Sequence, residues 1–286
     1  MRDNPWLERR VIAYAHQGGA KEAPSSTLYA IRRALDNGAT GIELDVHATR
    51  DGHLVVCHDP SLDRTTNGHG VIAGLDLEEI RRLDNAYWFR PGSDAVAGFP
   101  AEDYPLRGRA PDDRELCVAT LAEVLEAFPG VLLNLDIKRT APEVVAYEET
   151  LAGLLSEHER TDDVIVASFL DSATERFAAH SPLTGISAGL GTTSEFYRRL
   201  RAGEPPQDDI GRYVALQVPA TVGAVALVDE QFVQAAHSCG LAVHVWTIDE
   251  PAEMERLVAL GVDGIMSDKP SLLGAVLARL GVNWKA

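Results

Sequence analysis

The sequence predicts an α/β protein built from eight strand–helix units that close into a barrel. The chain has 286 residues, of which 45% are hydrophobic, and this is enough to form the core of one large barrel. Eight short β-rich runs alternate with helical patterns, which is typical of parallel α/β architecture. A stretch at about 60–117, rich in Gly, Pro, Asp and Arg, interrupts this alternation. We therefore expect one domain over residues 1–286, a (β/α)8 or TIM barrel with a small insertion after the second strand.

The first three barrel strands are predicted from their apolar runs and from the residues that separate them. VIAYAH is the first strand, and the hydroxyl-rich segment SST begins a helix that continues through Asn37. GIELDVHAT is the second strand, and HLVVCHD is expected to pair beside it as a side hairpin outside the count of eight. Thr120 and Glu123 form a capping box for the helix that precedes VLLNLDIK, the third barrel strand.

The other five strands follow the same alternation. They are VIVASF, GISAGLG, YVALQV, AVHVWTI and GIMSD. A second capping box, formed by Thr140 and Glu143, predicts a helix over about 142–159. Asp249 is expected to cap the helix that contains Pro251.

Charge and cysteine content exclude several classes of partner. The net charge of −17 argues against nucleic acid and against an anionic membrane surface, because no basic excess can neutralise phosphates. The three cysteines form no CxxC pair, which suits a reducing compartment. No apolar stretch reaches the length of a membrane span or of a signal-peptide core, so a cytoplasmic location is expected. A small anionic substrate would need a local cation such as a bound metal.

Acidic side chains recur at alternating positions of two strands. Glu43 and Asp45 face one way, and Asn134, Asp136 and Lys138 share the corresponding face of VLLNLDIK. Unpaired carboxylates inside a barrel would cost several kcal/mol, so they require a cation. A structural salt bridge to Lys138 is one explanation for any single pair. Three carboxylates against one lysine favour a hard divalent ion, Mg²⁺ or Ca²⁺, as the cofactor.

Two histidines end apolar runs near the predicted strand ends. His16 follows VIAYA, and His58 stands in LVVCHDP. A single histidine is more often a hydrogen-bonded structural residue than a catalytic one. Two imidazoles beside a metal are the components of general acid–base hydrolysis, in which one removes a proton and the other protonates the leaving oxygen. In that arrangement Lys138 would hold a phosphate oxygen.

Several separated motifs resemble the glycerophosphodiester phosphodiesterase family. They are AHQGG, PSST, GIELDVHATRDGHLVVCHDP, DRTTNG, TLAEVLEAFP, LNLDIK and VHVWTIDEPAEMERLVALGVDGIMSDKP, in the order that the family has them. The resemblance covers nearly the whole chain and implies a metal-dependent barrel that hydrolyses phosphodiesters. It implies catalytic roles for His16 and His58, metal ligation by Glu43, Asp45 and Asp136, and substrate binding by Lys138, Gln17 and Trp246.

The sequence departs from the family pattern at three places. Gln17 stands where the family has an arginine, so a bidentate phosphate contact is missing there unless Arg64 or Lys21 supplies the positive charge. PSST replaces Pro-Glu-Asn-Thr, and Asp136 replaces a glutamate. Trp246 matches the family's Trp-Thr element, where it would line the substrate pocket or pack inside the barrel.

These observations predict a metal-dependent phosphodiesterase that converts glycerophosphodiesters to an alcohol and sn-glycerol 3-phosphate, with a small molecule as its partner. One alternative is a phospholipase-D-like enzyme that acts on lysophospholipids, for which NAYWFRPG in the insertion could line an apolar groove. Another is a non-catalytic relative that only binds phosphodiesters. The headgroup, the choice of ion, the oligomeric state and the route, through a cyclic phosphate or by direct water attack, stay open.

Overall fold

A computed structural model describes residues 4–8 and 11–282, apart from the side chain of Pro142. Eight parallel strands form a closed barrel, in which the first strand pairs with both the second and the last. The barrel strands are β1 Ile12–His16, β2 Gly41–Ala48, β4 Leu132–Ile137, β5 Val164–Ala167, β6 Gly185–Ala188, β7 Ala215–Pro219, β10 Ala242–Trp246 and β11 Gly264–Ser267. The predicted TIM barrel is therefore confirmed.

Three further strands lie outside the barrel order. Strand β3, Leu54–Val56, pairs antiparallel with β2 and forms the side hairpin that HLVVCHD predicts. Strands β8, Thr221–Val222, and β9, Val225–Ala226, form a separate hairpin after β7. Its two-residue turn begins with Gly223, whose φ of +59° suits the glycine that opens a type II′ turn.

Helices follow most barrel strands and cover the outside, and one further short helix, α2, lies in the insertion. They are α1 Leu28–Asp36, α2 Leu77–Ile80, α3 Leu121–Ala127, α4 Thr140–Glu143, α5 Glu148–Glu157, α6 Asp171–His180, α7 Leu190–Ala202, α8 Glu230–Ser238, α9 Pro251–Leu260 and α10 Pro270–Arg279. Thr27, the last residue of SST, caps α1 by accepting a hydrogen bond from the backbone N–H of Ala30. The predicted capping box of Thr120 and Glu123 is confirmed at the start of α3.

Two predicted helix starts are wrong. Thr140 lies inside α4, and its hydroxyl contacts Nδ1 of His47 at 3.1 Å instead of capping the helix. The chain then leaves the helical path before α5, where the buried Tyr147 donates its hydroxyl hydrogen to the carbonyl of Val46. Helix α9 begins after Glu250, because the carboxylate of Asp249 accepts hydrogen bonds from the next loop instead.

The main core lies between the strands and the helices. The residues that alternate with the predicted site positions, among them Ile42, Leu44 and Leu135, are fully buried and join the apolar faces of the helices in one cluster. A second cluster inside the barrel includes Trp6 and Tyr14 and fills its lower part. The C-terminal ends of the strands are therefore the open end of the barrel.

The insertion lies between β3 and α3 and is built from turns and short helices around a small apolar cluster of its own. Leu62, Ile72, Ile80 and Val118 are buried in that cluster. Residues of the insertion also line a cavity beside His58, as described below. The limits of about 60–117 and the single-domain organisation stay predictions. None of the helices in the described parts of the chain has the length and apolar character needed to cross a membrane.

Candidate active site

A cavity of about 590 Å³ opens at the C-terminal ends of the barrel strands. Seven of the eight predicted site residues line it: His16, Glu43, Asp45, His58, Asp136, Lys138 and Trp246. The eighth, Gln17, lines an adjoining cavity of about 300 Å³. His16 and His58 line both cavities and therefore stand between them. The alternation of strand residues has brought the predicted set together at the end of the barrel where βα loops usually build active sites.

Lys138 lies between two of the predicted metal ligands. Its Nζ donates to Asp45 Oδ1 at 2.5 Å and to Asp136 Oδ2 at 3.0 Å. Burial disfavours the charge on Lys138, but Asp45 and Asp136 outweigh it and raise the pKa of the ammonium. Burial also raises the pKa of Asp136 to about 6, even though Lys138 favours its ionised form.

Among the described residues Glu43 has no such lysine contact, and its pKa is the most perturbed among the carboxyls of the larger cavity. Burial and the neighbouring charge of Asp45 raise its pKa to about 8. Its Oε2 accepts a hydrogen bond from the backbone N–H of Gln17 at 3.2 Å and lies 3.7 Å from Nε2 of His16. Any positive charge added near Glu43 would stabilise its ionised form and lower its pKa.

A carboxylate holds His16 from behind. Its Nδ1 lies 2.6 Å from Oδ1 of Asp268, while its Nε2 faces the cavity and the side-chain amide of Gln17, 3.3 Å away. Burial lowers the pKa of His16, but the charges of Glu43 and Asp268 outweigh it and raise that pKa to about 9. Asp268 is fixed in turn by Lys21, 3.4 Å away. The arrangement fixes the ring orientation and leaves Nε2 for a substrate.

His58 is held in the same manner by its sequence neighbour. Its Nδ1 lies 2.7 Å from Oδ1 of Asp59, and Arg64 donates to the same carboxylate at 2.6 Å. The hydrogen bond from His58 and the charge of Arg64 lower the pKa of Asp59 well below its usual range. The rings of His16 and His58 are 6.2 Å apart between centroids and nearly perpendicular. Two oriented imidazoles that face one cavity can divide acid and base roles.

The carboxylates fit a divalent ion in number and chemistry. Glu43, Asp45 and Asp136 all face the cavity, and Oδ2 of Asp45 is buried with no hydrogen-bond partner among the described residues. Oxygen donors with excess negative charge are the ligands that Mg²⁺ and Ca²⁺ prefer. Over residues 4–8 and 11–282, however, no three His, Cys, Asp or Glu side chains form a ready-made metal cluster. Here the cation that contacts Asp45 and Asp136 is Lys138.

Arg64 and Lys21, which could replace the missing arginine, lie in different places relative to the two cavities. Arg64 lines the smaller cavity, although it is paired with Asp59. Lys21 is bound to Asp249 at 2.6 Å and lines neither cavity. Gln17 is buried with a left-handed φ of +53°, and its Oε1 has no hydrogen-bond partner among the described residues. Trp246 borders the larger cavity and packs its ring against Phe169, with 5.8 Å between centroids.

Sequence reasoning missed the two carboxylates that orient the histidines. Asp59 directly follows His58, so its role could have been predicted from its position in the sequence. Asp268 is 252 positions from His16 and reaches it because β11 pairs with β1. The apolar groove expected from NAYWFRPG is also not in the larger cavity: no residue of that segment lines it, and Asn85 and Phe89 line the smaller one.

Comparison with known proteins places this arrangement in a family. Residues 16–272 match the model of the glycerophosphoryl diester phosphodiesterase family. A glycerophosphodiester phosphodiesterase of Caldanaerobacter subterraneus subsp. tengcongensis is 30% identical over 269 residues, covering 92% of this chain and 96% of that protein. One from Bacillus subtilis is 31% identical over 276 residues, covering 93% and 86% respectively.

Solved structures show the same fold. A phosphodiesterase of Oleispira antarctica, whose structure is in complex with the product sn-glycerol-3-phosphate, superposes with a TM-score of 0.70 at 23% identity, covering 93% of this chain and 96% of that one. A glycerophosphoryl diester phosphodiesterase domain from Mycobacterium tuberculosis gives a TM-score of 0.74 at 19% identity, with coverages of 94% and 99%. Because the family model spans most of the sequence, this chain belongs to the glycerophosphoryl diester phosphodiesterase family.

Proposed function

We propose that this protein hydrolyses glycerophosphodiesters to an alcohol and sn-glycerol 3-phosphate with the help of one divalent cation, Mg²⁺ or Ca²⁺. One observation carries the proposal: two histidines, each held by a carboxylate, face a cavity that also contains three carboxylates and Lys138. Relatives named as glycerophosphodiester phosphodiesterases, and the product bound to the Oleispira enzyme, support the substrate class.

The histidines would carry the proton transfers. Asp268 and Asp59 accept from Nδ1 of His16 and His58, so each ring presents Nε2 to the substrate. One imidazole takes the proton of the attacking group, which is water or a neighbouring hydroxyl of the substrate. The other protonates the departing oxygen of the alcohol.

Glu43, Asp45 and Asp136 would hold the cation. When bound, a divalent ion polarises the phosphoryl oxygens and neutralises charge that develops on them. Lys138 adds a fixed positive charge at the same side of the cavity, where a non-bridging phosphate oxygen can approach it. Gln17 contributes a neutral amide in place of the family's arginine. A cytoplasmic location is part of the proposal and rests on the cysteine content.

The test is an assay of glycerophosphocholine, glycerophosphoethanolamine and glycerophosphoglycerol with Mg²⁺, Ca²⁺ or Mn²⁺, and then after exhaustive chelation. We expect release of sn-glycerol 3-phosphate that chelation abolishes and that one of the ions restores. Full activity after chelation would exclude the cation. Absence of turnover on all three substrates with every ion would instead favour a non-catalytic, phosphodiester-binding relative.

A further inference from the structure

Lys21 lies behind His16 and lines neither cavity. Its Nζ is 2.6 Å from Oδ2 of Asp249 and 3.4 Å from Oδ2 of Asp268. Asp268 contacts Lys21 with this oxygen and His16 with its other one. Lys21 therefore does not reach a phosphate in the cavities, and its charge acts on the carboxylate that holds His16.

Two loops hold Asp268 in place. Oδ1 of Asp249, in the loop after β10, accepts hydrogen bonds at 2.9 Å from the backbone N–H of Asp268 and from the hydroxyl of Ser267. The backbone N–H of Lys21, in the loop after β1, donates to the carbonyl of Asp268 at 3.1 Å. Both the main chain and the carboxylate of Asp268 are therefore fixed by residues outside the cavities.

The two oxygens of the Asp268 carboxylate have different partners. Oδ1 lies 2.6 Å from Nδ1 of His16, and Oδ2 faces Lys21. Burial disfavours the ionised carboxylate, but His16 and Lys21 outweigh it and lower the pKa of Asp268. A carboxylate held at both oxygens cannot rotate without losing a contact. The orientation of Asp268 therefore also fixes the ring of His16.

The same order of groups recurs at the second histidine. His58 contacts Asp59, and Arg64 donates to that carboxylate. An imidazole, a carboxylate and a cation thus follow one another at both histidines, although different loops supply them. Arg64 lines the smaller cavity and could also contact a substrate, whereas Lys21 lines neither cavity. Replacing Lys21 therefore isolates the effect of the cation on the orientation of the imidazole.

We infer that Lys21 is a positioning residue for His16: it holds the carboxylate of Asp268 in the orientation that turns Nε2 of His16 toward the substrate. This inference rests on the proposed proton transfer by His16. Asp249 supports it by fixing both the ammonium of Lys21 and the main chain of Asp268. Because Lys21 does not contact the substrate, its removal should slow turnover and leave substrate binding unchanged.

The first test separates kcat from KM for glycerophosphoethanolamine. Lys21→Met should lower kcat about tenfold, the effect of losing one charge-assisted contact, with KM within about twofold of the parent. Lys21→Arg keeps the charge and should recover most of kcat. Lys269→Met is the matched control, since Lys269 follows Asp268 directly and lines neither cavity. Parental kcat in Lys21→Met, or a rise in KM alone, would overturn the inference.

The second test asks whether Lys21 acts through His16. Adding Lys21→Met to His16→Ala should not lower kcat further, because the imidazole that Lys21 positions is already absent. A merely structural role would lower kcat by the same factor in both backgrounds, and that result would contradict the inference. Asp249→Asn is a second variant. Its amide oxygen can still accept from Asp268, but its amide nitrogen cannot accept from Lys21, so it should reproduce part of the loss.

Failure of the proposed function gives a different result, namely no turnover of any glycerophosphodiester with any ion. Nuclear magnetic resonance of the proton on Nδ1 of His16, assigned by its loss in His16→Ala, then still decides the inference. A proton in a short charge-assisted hydrogen bond resonates at low field and exchanges slowly with water. We expect faster exchange in Lys21→Met and the parental rate in Lys269→Met. Equal exchange in Lys21→Met and the parent would exclude positioning by Lys21.

Discussion

Two histidines inside the same barrel have opposite electrostatic environments. His244 lies deep in the interior against Trp6 and Tyr14, and among the described residues neither of its ring nitrogens has a hydrogen-bond partner. Burial lowers its pKa to about 4. His16 lies at the C-terminal end of β1, where the charges of Glu43 and Asp268 outweigh burial and raise its pKa to about 9.

The difference shows that burial alone does not prepare an imidazole for catalysis. Both rings lose hydration, and this loss favours the neutral form in each case. Only His16 has a carboxylate at 2.6 Å from Nδ1 and a second one at 3.7 Å from Nε2. The lower part of the barrel therefore contributes stability, while the upper end concentrates the charges on which chemistry depends.

The largest expected effect comes from removing a carboxylate at the charged end. Asp45→Ala should lower kcat/KM by roughly 10⁴-fold or more, because it removes a proposed ligand and an ion-pair partner of Lys138. The circular dichroism spectrum should stay near that of the parent, since Asp136 still pairs with Lys138. Asp36→Asn, at the exposed end of α1, is the control and should keep full activity. An Asp45→Ala enzyme that retains activity would contradict the role of Asp45 as a ligand of the cation.

The two histidines should have smaller, separable effects. His16→Ala and His58→Ala should each lower kcat by about 10²- to 10⁴-fold, the usual contribution of a positioned acid or base. A nitrophenyl leaving group needs little protonation, so it should partly rescue whichever variant has lost the acid. Rescue of neither variant would contradict the division of roles. His53→Ala, an exposed histidine outside both cavities, is the matched control.

The environment of His244 is tested through the pH dependence of the free energy of unfolding. Since folding lowers the pKa of His244 from 6.5 to about 4, the unfolded chain binds more protons between these values. The free energy of unfolding should therefore fall as the pH drops from 6.5 to 4, and His244→Phe should remove on the order of 3 kcal/mol of that fall. Urea denaturation of both proteins at pH 7 and pH 4 measures it. Parallel curves would mean that His244 does not titrate as its surroundings indicate.

The smallest effect concerns the neutral amide beside His16. Gln17→Arg should raise kcat/KM for glycerophosphoethanolamine about fivefold, because charge-assisted hydrogen bonds are roughly twice as strong as neutral ones. A decrease would indicate that Arg64, which lines the same cavity, already fills this role and is crowded. A variant that equals the parent would mean that residue 17 does not contact the phosphate. Gln17→Lys separates charge from the bidentate geometry of arginine.

The local sequence pattern was sufficient to predict the strands and the residues that they place in the cavity. A strand turns successive side chains to opposite faces, so Glu43 and Asp45 had to share a face, as did Asp136 and Lys138. The apolar residues between them pack under the helices, as their alternation predicts. Helix starts were less certain, since the hydroxyl of Thr140 and the carboxylate of Asp249 found partners in other segments.

The sequence by itself determined the barrel and the residues that carry charge into its open end, because these follow from periods of a few residues. Only the tertiary structure decided which carboxylate holds His16, since Asp268 arrives from the last strand when the barrel closes. It also decided which loop residues border the larger cavity, since Phe169, Leu190 and Val222 follow three different strands. Loop residues follow no period, and their meeting depends on strand order and closure, which a local pattern does not contain.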